Sequence, residues 1–295
     1  MAKADHRTIL TSSNSSNSSV VPLPASLLAS VERAAAGALQ ADFVADPLLG
    51  PGLSVCNSYL SSAVKRHGGL IDAAICEALE RSGEYLVLRQ VEMPITDAAE
   101  ALVATNTPEA LAGLTATAHG PYRRVAFFDL IAIHLKTGAA KIIEIKRGGG
   151  ITEVRKRRLI ERDLRCARLQ LPSFLRPRFD CEPRSFESWL LDYYGRSGFA
   201  DGLTVTREGI DALFGVPVRD LVDAVTDRLR AEILREVPRL LTVAQNLLGA
   251  ADDGSLQAHP FANPVKPKSA RRLVCGDRIP AGAQARSSPQ RPTVQ

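Results

Sequence analysis

The sequence predicts an α/β protein in which a mixed central sheet is flanked by helices. Two neighbouring stretches, Val125-Ala-Phe-Phe-Asp129-Leu-Ile-Ala-Ile-His-Leu135 and Lys141-Ile-Ile-Glu144-Ile-Lys146, read as buried strands and lie close enough across Thr137-Gly138 to form a hairpin. Helical apolar spacing appears on either side of them, with Ile71, Ala74, Ile75, Ala78 and Leu79 before and Ile160, Leu164, Ala167 and Leu171 after. An apolar content of 45% over 295 residues is enough to bury a core in one large domain or two small ones.

Taken in order, residues 1–22 hold a Ser/Asn tract, Thr11 to Ser19, too polar and simple to pack, and are expected to be disordered. Leu27 to Leu39 reads as a short helix. Residues 58–82 form a helical region interrupted at Gly68-Gly69 and ended by Gly83. Glu84 to Met93 reads as a strand before Pro94, and 97–114 as helical or irregular. After the two key strands, Gly148-Gly149-Gly150 makes a flexible turn, Thr152 to about Leu171 a helix, and Phe186 to Tyr194 a further strand. Thr206 is placed to cap a helix ending at Phe214-Gly215. A second amphipathic helix follows Pro217, with Val218, Leu221, Val222, Val225 and Leu229 at helical spacing. Residues 252–295 are proline-rich and basic, again expected to be disordered. The folded part is therefore 23–251, with a core at about 58–195 and C-terminal helices at about 204–249.

The two key strands carry charge where a buried strand should carry none, and an ionised group taken out of water costs several kcal/mol unless paired or metal-bound. Alternation puts Glu144 and Lys146 on one face, with Ile143 and Ile145 on the other, and the hairpin brings Asp129 near them. Two carboxylates and an ammonium suit a hard divalent cation that stabilises a scissile phosphate and activates water, with the ammonium acting on that water. At these residues the chain resembles the PD-(D/E)xK nuclease superfamily, in which an Asp on one strand and an E-x-K on the next form the metal site. The family's proline before the Asp is Phe128 here. The resemblance covers roughly 58–195. It implies a restriction-endonuclease-like core and a metal-dependent DNA nuclease of restriction, repair, recombination or mobile-element type. Asp129 and Glu144 would bind Mg²⁺, or Mn²⁺, and Lys146 would act on the attacking water. The acid expected from the first helix is Asp72, where Asp replaces the family's usual Glu, with Glu77 and Glu80 as alternatives.

Of the remaining residues, Arg155, Arg158, Arg162 and Arg165 recur at three- and four-residue spacing on one helix face and are the candidate DNA contacts, with Glu153, Glu161 and Asp163 as neutralising neighbours. His134, an odd number of residues from Asp129, should point to the other face as a packing or surface residue. The five cysteines are scattered, odd in number and without Cys-x-x-Cys spacing, which argues against a disulfide framework and a zinc site. No apolar run reaches membrane-spanning length and no secretory leader precedes the polar tract, so no membrane partner and a cytoplasmic location are expected. A net charge of +5 is compatible with nucleic acid. A homodimer is left open. The rivals are a non-catalytic DNA-binding protein using the C-terminal helices, and an inactive nuclease fold serving as an interaction module.

Overall fold

The structure, a computed structural model, describes residues 22–41, 44–177 and 183–252, without the side chains of 250–252. The two expected tails lie outside the described residues, apart from Pro22 and Asp252. Contacts group Met1–Gly249 into one unit and Ala250–Gln295 into another.

The elements in order are α1 (Ala25–Leu39), α2 (Gly50–Ser82), β1 (Tyr85–Thr96), α3 (Asp97–Thr105), β2 (Tyr122–His134), β3 (Ala139–Lys146), α4 (Val154–Leu175), β4 (Ser185–Asp192), β5 (Thr204–Val205), α5 (Ile210–Phe214) and α6 (Arg219–Asp252), with 3-10 turns at Asp201–Leu203 and Arg207–Gly209. The five strands form one sheet in the order β1-β2-β3-β4-β5. β2 runs antiparallel to both β1 and β3, while β3, β4 and β5 are parallel, so the sheet is mixed. One face carries a cluster drawn from α1, α2, α5 and α6, including Val31, Ile71, Ile75, Leu79, Phe214 and Val222. The other is covered by α3 and α4 through Ala99, Leu164, Ala167 and Leu171. Each large aliphatic chain so buried contributes about 1.5–3 kcal/mol.

Several expectations need correction. α2 runs unbroken through Gly68-Gly69 as a helix of 33 residues. Each glycine costs roughly 1 kcal/mol relative to alanine, and the burial of Leu70, Ile71, Ala74 and Ile75 immediately after them outweighs that cost. Gly83 ends α2 in the left-handed region, as expected. β1 continues through Pro94 to Thr96; it is an edge strand, where a missing N–H need not break a ladder. Thr206 does not cap through its side chain. Its hydroxyl donates to Glu208 at 2.9 Å, and a 3-10 turn precedes the five-residue α5. β5, two residues long, carries too little pattern to be read from sequence.

The strand alternation itself slips at one level. On β2, Phe128 and Ile131 both enter the α4-side cluster, while Leu130 and Ala132 enter the α2-side cluster. On β1, Leu88 and Val91 both pack on the α4 side although three residues apart. Between them Gln90 has φ +51, the sole non-glycine at positive φ among the described residues. The two strands change face together, so their pairing register is kept on both sides of the step. Asp129 sits at that step. β2 and β3 pair from Ile133↔Ala140 only as far as Leu130↔Ile143. Beyond that rung β2 stays with β1 and β3 stays with β4, so the sheet forks at Asp129 and Glu144.

Candidate functional site

The fork gathers the acids. Asp129 lies on β2 where the ladder stops, and its Oδ2 accepts the Ile145 amide hydrogen at 2.6 Å, satisfying a backbone donor that β2 no longer reaches. Glu144, across the fork on β3, accepts from the Lys146 ammonium two residues along the same strand. Asp72 comes from α2, where Cys76 Sγ is 3.8 Å from its Oδ1 and the Gln90 side-chain amide 3.5 Å from its Oδ2. Burial, then the charge of Asp129, pushes the Asp72 carboxyl up to about 7, against the pull of Arg89. Burial and then Asp129 likewise push Glu144 up to about 7, with Lys146 opposing and Asp72 adding to the rise. The three carboxylates thus feel one another although they come from three separate elements.

The other first-helix candidates are engaged elsewhere. Glu80 holds Arg89 in a two-pronged pair at 3.0 and 2.6 Å, and Glu77 accepts from Ser26 at 3.2 Å. His134 requires a correction. Asp129 interacts with α2, and the slip at Gln90 places His134 on the side of Leu130 and Ala132, facing α2 as well. Distance along the strand separates it from the acids, about 16 Å for five residues. There it packs edge-on against Tyr85, and its Nδ1 accepts from the Lys136 and Thr137 amides to shape the hairpin turn.

The basic face of α4 divides. Arg155 and Arg158 are exposed and pair with no carboxylate among the described residues. Arg162 is held by Glu100 of α3 at 3.0 Å, and Arg165 is half-buried. The acids of α4 are engaged mainly elsewhere: Asp163 takes Arg124 of β2 and feels Arg162 less strongly, and Glu161 accepts the Ala200 amide at 3.2 Å. At Gly148 the turn requires glycine. Its φ is +72, and a Cβ there would stand 1.8 Å from Oδ1 of the buried Asp192, itself tied to the Ser197 amide and hydroxyl.

The donor set fits a hard divalent cation in its chemistry, being all carboxylate and held partly protonated near neutrality by burial and mutual repulsion. Its resting geometry is not yet that of a metal cage. Among the described residues no three His, Cys, Asp or Glu side chains stand close enough to hold an ion as they are. Ligation would require Asp72, Asp129 and Glu144 to draw closer together than they stand. The sequence did not point to Gln90, whose backbone at positive φ brings its amide to Asp72, because among Arg89 and Glu92 it reads as one more polar strand residue. No helix among the described residues is long and apolar enough to cross a membrane. Comparison with protein-family models, curated proteins and solved structures finds no match for this chain.

Proposed function

We propose that this protein is a metal-dependent DNA nuclease acting at the fork between β2 and β3. One observation carries the reading: Asp72, Asp129 and Glu144 converge from a helix and two strands, two of them are raised to about 7, and an ammonium lies against one. Perturbed carboxylates of this kind concentrate where chemistry is done. The order helix, three antiparallel strands, crossing helix and parallel strand is the one that the resemblance to PD-(D/E)xK nucleases implies.

Asp129 and Glu144 would hold Mg²⁺ or Mn²⁺, with Asp72 completing the set, and the ion would supply charge neutralisation at a scissile phosphate and a more acidic water. Lys146 has a separate task. Its Nζ, kept beside Glu144, is placed to orient the attacking water and to stabilise negative charge developing on the phosphate oxygens. Asp129, through the Ile145 amide, fixes the spacing of the two strands at the reacting position.

The test is direct. Purified protein incubated with linear, circular and branched DNA should cleave at least one form with Mg²⁺ or Mn²⁺ and none with chelator. Absence of cleavage under every condition would replace this reading with a salt-bridged sheet fork.

DNA affinity should fall with salt, and α4 should account for part of the slope. Each phosphate contact contributes about 0.9 to the slope of log affinity against log salt. Arg155→Gln with Arg158→Gln should therefore lower it by roughly 2. Adding Arg162→Gln should change it little more, because Glu100 already holds that side chain. An unchanged slope in the double variant would show that DNA lies elsewhere.

A further inference from the structure

Leaving the carboxylates, β3 and α2 lead into a second polar site that the nuclease reading does not use. Arg147 follows Lys146 directly. Its Nε–H donates to Nδ1 of His67 at 3.0 Å, and its guanidinium carbon lies 5.3 Å from the centre of the Tyr194 ring. His67, on α2, is 6% exposed, and its Nε2 is 2.9 Å from the Thr226 hydroxyl of α6. Thr226 in turn donates to the Val222 carbonyl at 2.8 Å. Because a guanidinium can only donate, Nδ1 must accept, which leaves the proton on Nε2 and the ring neutral. Burial, then the charges of Arg147 and Arg230, depresses the imidazole to about 4.

The balance of charge here is one-sided. Arg147 is half-buried, and among the described residues no carboxylate pairs with it. A neutral histidine and an aromatic face solvate the guanidinium without cancelling its charge, whereas charges withdrawn from water are normally paired. Arg147, His67, Tyr194, Thr226 and Arg230 border one cavity of about 170 Å³, walled on its apolar side by Val64, Leu229 and Ile233. Arg230 reaches it from α6 while touching Asp227 at 2.5 Å on the exposed surface. At about 30 Å³ per water in the liquid, the cavity holds a small tetrahedral anion. It falls short of the roughly 300 Å³ at which pockets for larger organic ligands begin.

We infer that this cavity binds a phosphate group, with the Arg147 fork as its main ligand and Arg230 as its second. Guanidinium matches phosphate oxygens in a two-pronged geometry, and such charge-assisted bonds are about twice as strong as neutral ones. The phosphate can be the terminal monoester of a DNA strand or free inorganic phosphate. Binding as such does not depend on the carboxylate site; assignment to a strand end rests on the nuclease reading.

The experiment uses the full chain in chelator, so that cleavage plays no part. The probes are inorganic phosphate, a short single strand with a terminal phosphate, and the same strand with hydroxyl ends. Affinities are measured by titration for wild type, Arg147→Gln and Arg230→Gln, and the His67 ring resonances are followed by NMR. Wild type should bind the phosphorylated strand at least about tenfold more tightly than the hydroxyl strand, phosphate should shift the His67 resonances, and Arg147→Gln should remove both effects. Arg147-dependent binding of inorganic phosphate, with the two strands bound alike, would support the cavity as a site for the free ion. Should Arg147→Gln fail to fold, Arg230→Gln, on the surface of α6, is expected to weaken phosphate binding with an unchanged melting temperature. If phosphate leaves the His67 resonances unmoved and folded variants bind every probe as wild type does, the inference is overturned.

Discussion

Asp129→Asn or Glu144→Gln should abolish both DNA cleavage and the rise in melting temperature caused by Mg²⁺ or Mn²⁺, while leaving the fold intact. Both substitutions keep shape and remove charge. An Asn oxygen can still accept the Ile145 amide that Asp129 now accepts at 2.6 Å, so the strands keep their spacing. Loss of a carboxylate that holds the ion removes several kcal/mol of charge stabilisation, on the order of a thousandfold or more in rate. Lys146→Ala should behave differently. It removes no metal ligand, so the metal-induced rise, which follows from binding to the folded state alone, should survive while the rate drops on the order of a hundredfold. Thermal melts with and without the ion, beside single-turnover cleavage, separate the two classes. If Lys146→Ala loses the metal response and Asp129→Asn keeps it, the roles assigned here are reversed.

In the metal-free protein, the melting temperature should fall as pH rises from about 5.5 to 8. Asp72 and Glu144 titrate near 7 in the folded chain and in the ordinary carboxylate range when unfolded. A carboxyl raised on folding contributes stability that is fully present below its unfolded pKa and lost as pH climbs through the folded one. The two groups repel each other and share the effect, so their joint contribution is roughly 3 kcal/mol. At 2–4 °C per kcal/mol for a chain of this size, that is about 6–12 °C. Glu144→Gln should remove its own share of the decline, leaving that of Asp72, which burial and Asp129 raise, and be the more stable protein at pH 8; Mg²⁺ should flatten the decline in wild type. The difference between wild type and Glu144→Gln isolates these groups from other titrations. A difference that does not change across the window would mean that the acids are solvated and do not meet.

The hairpin of β2 and β3, the α4 helix, and the chain reversals at Gly83 and Gly215 were all legible, because each depends on a period or turn residue within a few positions of sequence. So was the pair of charged strands, since Asp129, Glu144 and Lys146 stand out against the Ile, Phe and Leu around them. The continuity of α2 was not. The glycines at 68 and 69 are local signals to stop, and burial of residues after them against elements far along the chain overrides the signal.

The sequence by itself determined a mixed α/β fold and the identity of the strand carboxylates, because apolar alternation and misplaced charge are properties of short stretches. The sequence put Asp72 first among the helix acids, with Glu77 and Glu80 as alternatives, and tertiary structure decided which of them faces the fork. Asp72, Glu77 and Glu80 are equivalent in composition, and only the rotation of α2 against the sheet turns Asp72 to the fork while Glu80 meets Arg89 and Glu77 meets Ser26. It also decided the face of Asp129, through the joint slip of β1 and β2 at Gln90 that strict alternation does not contain. The setting of Arg147 among His67, Tyr194 and Thr226 likewise depends on α2, β4 and α6 meeting at one point. The physical reason is the same in each case: backbone periodicity is short-ranged, whereas the angle at which one element meets another is set by the packing of side chains remote in sequence.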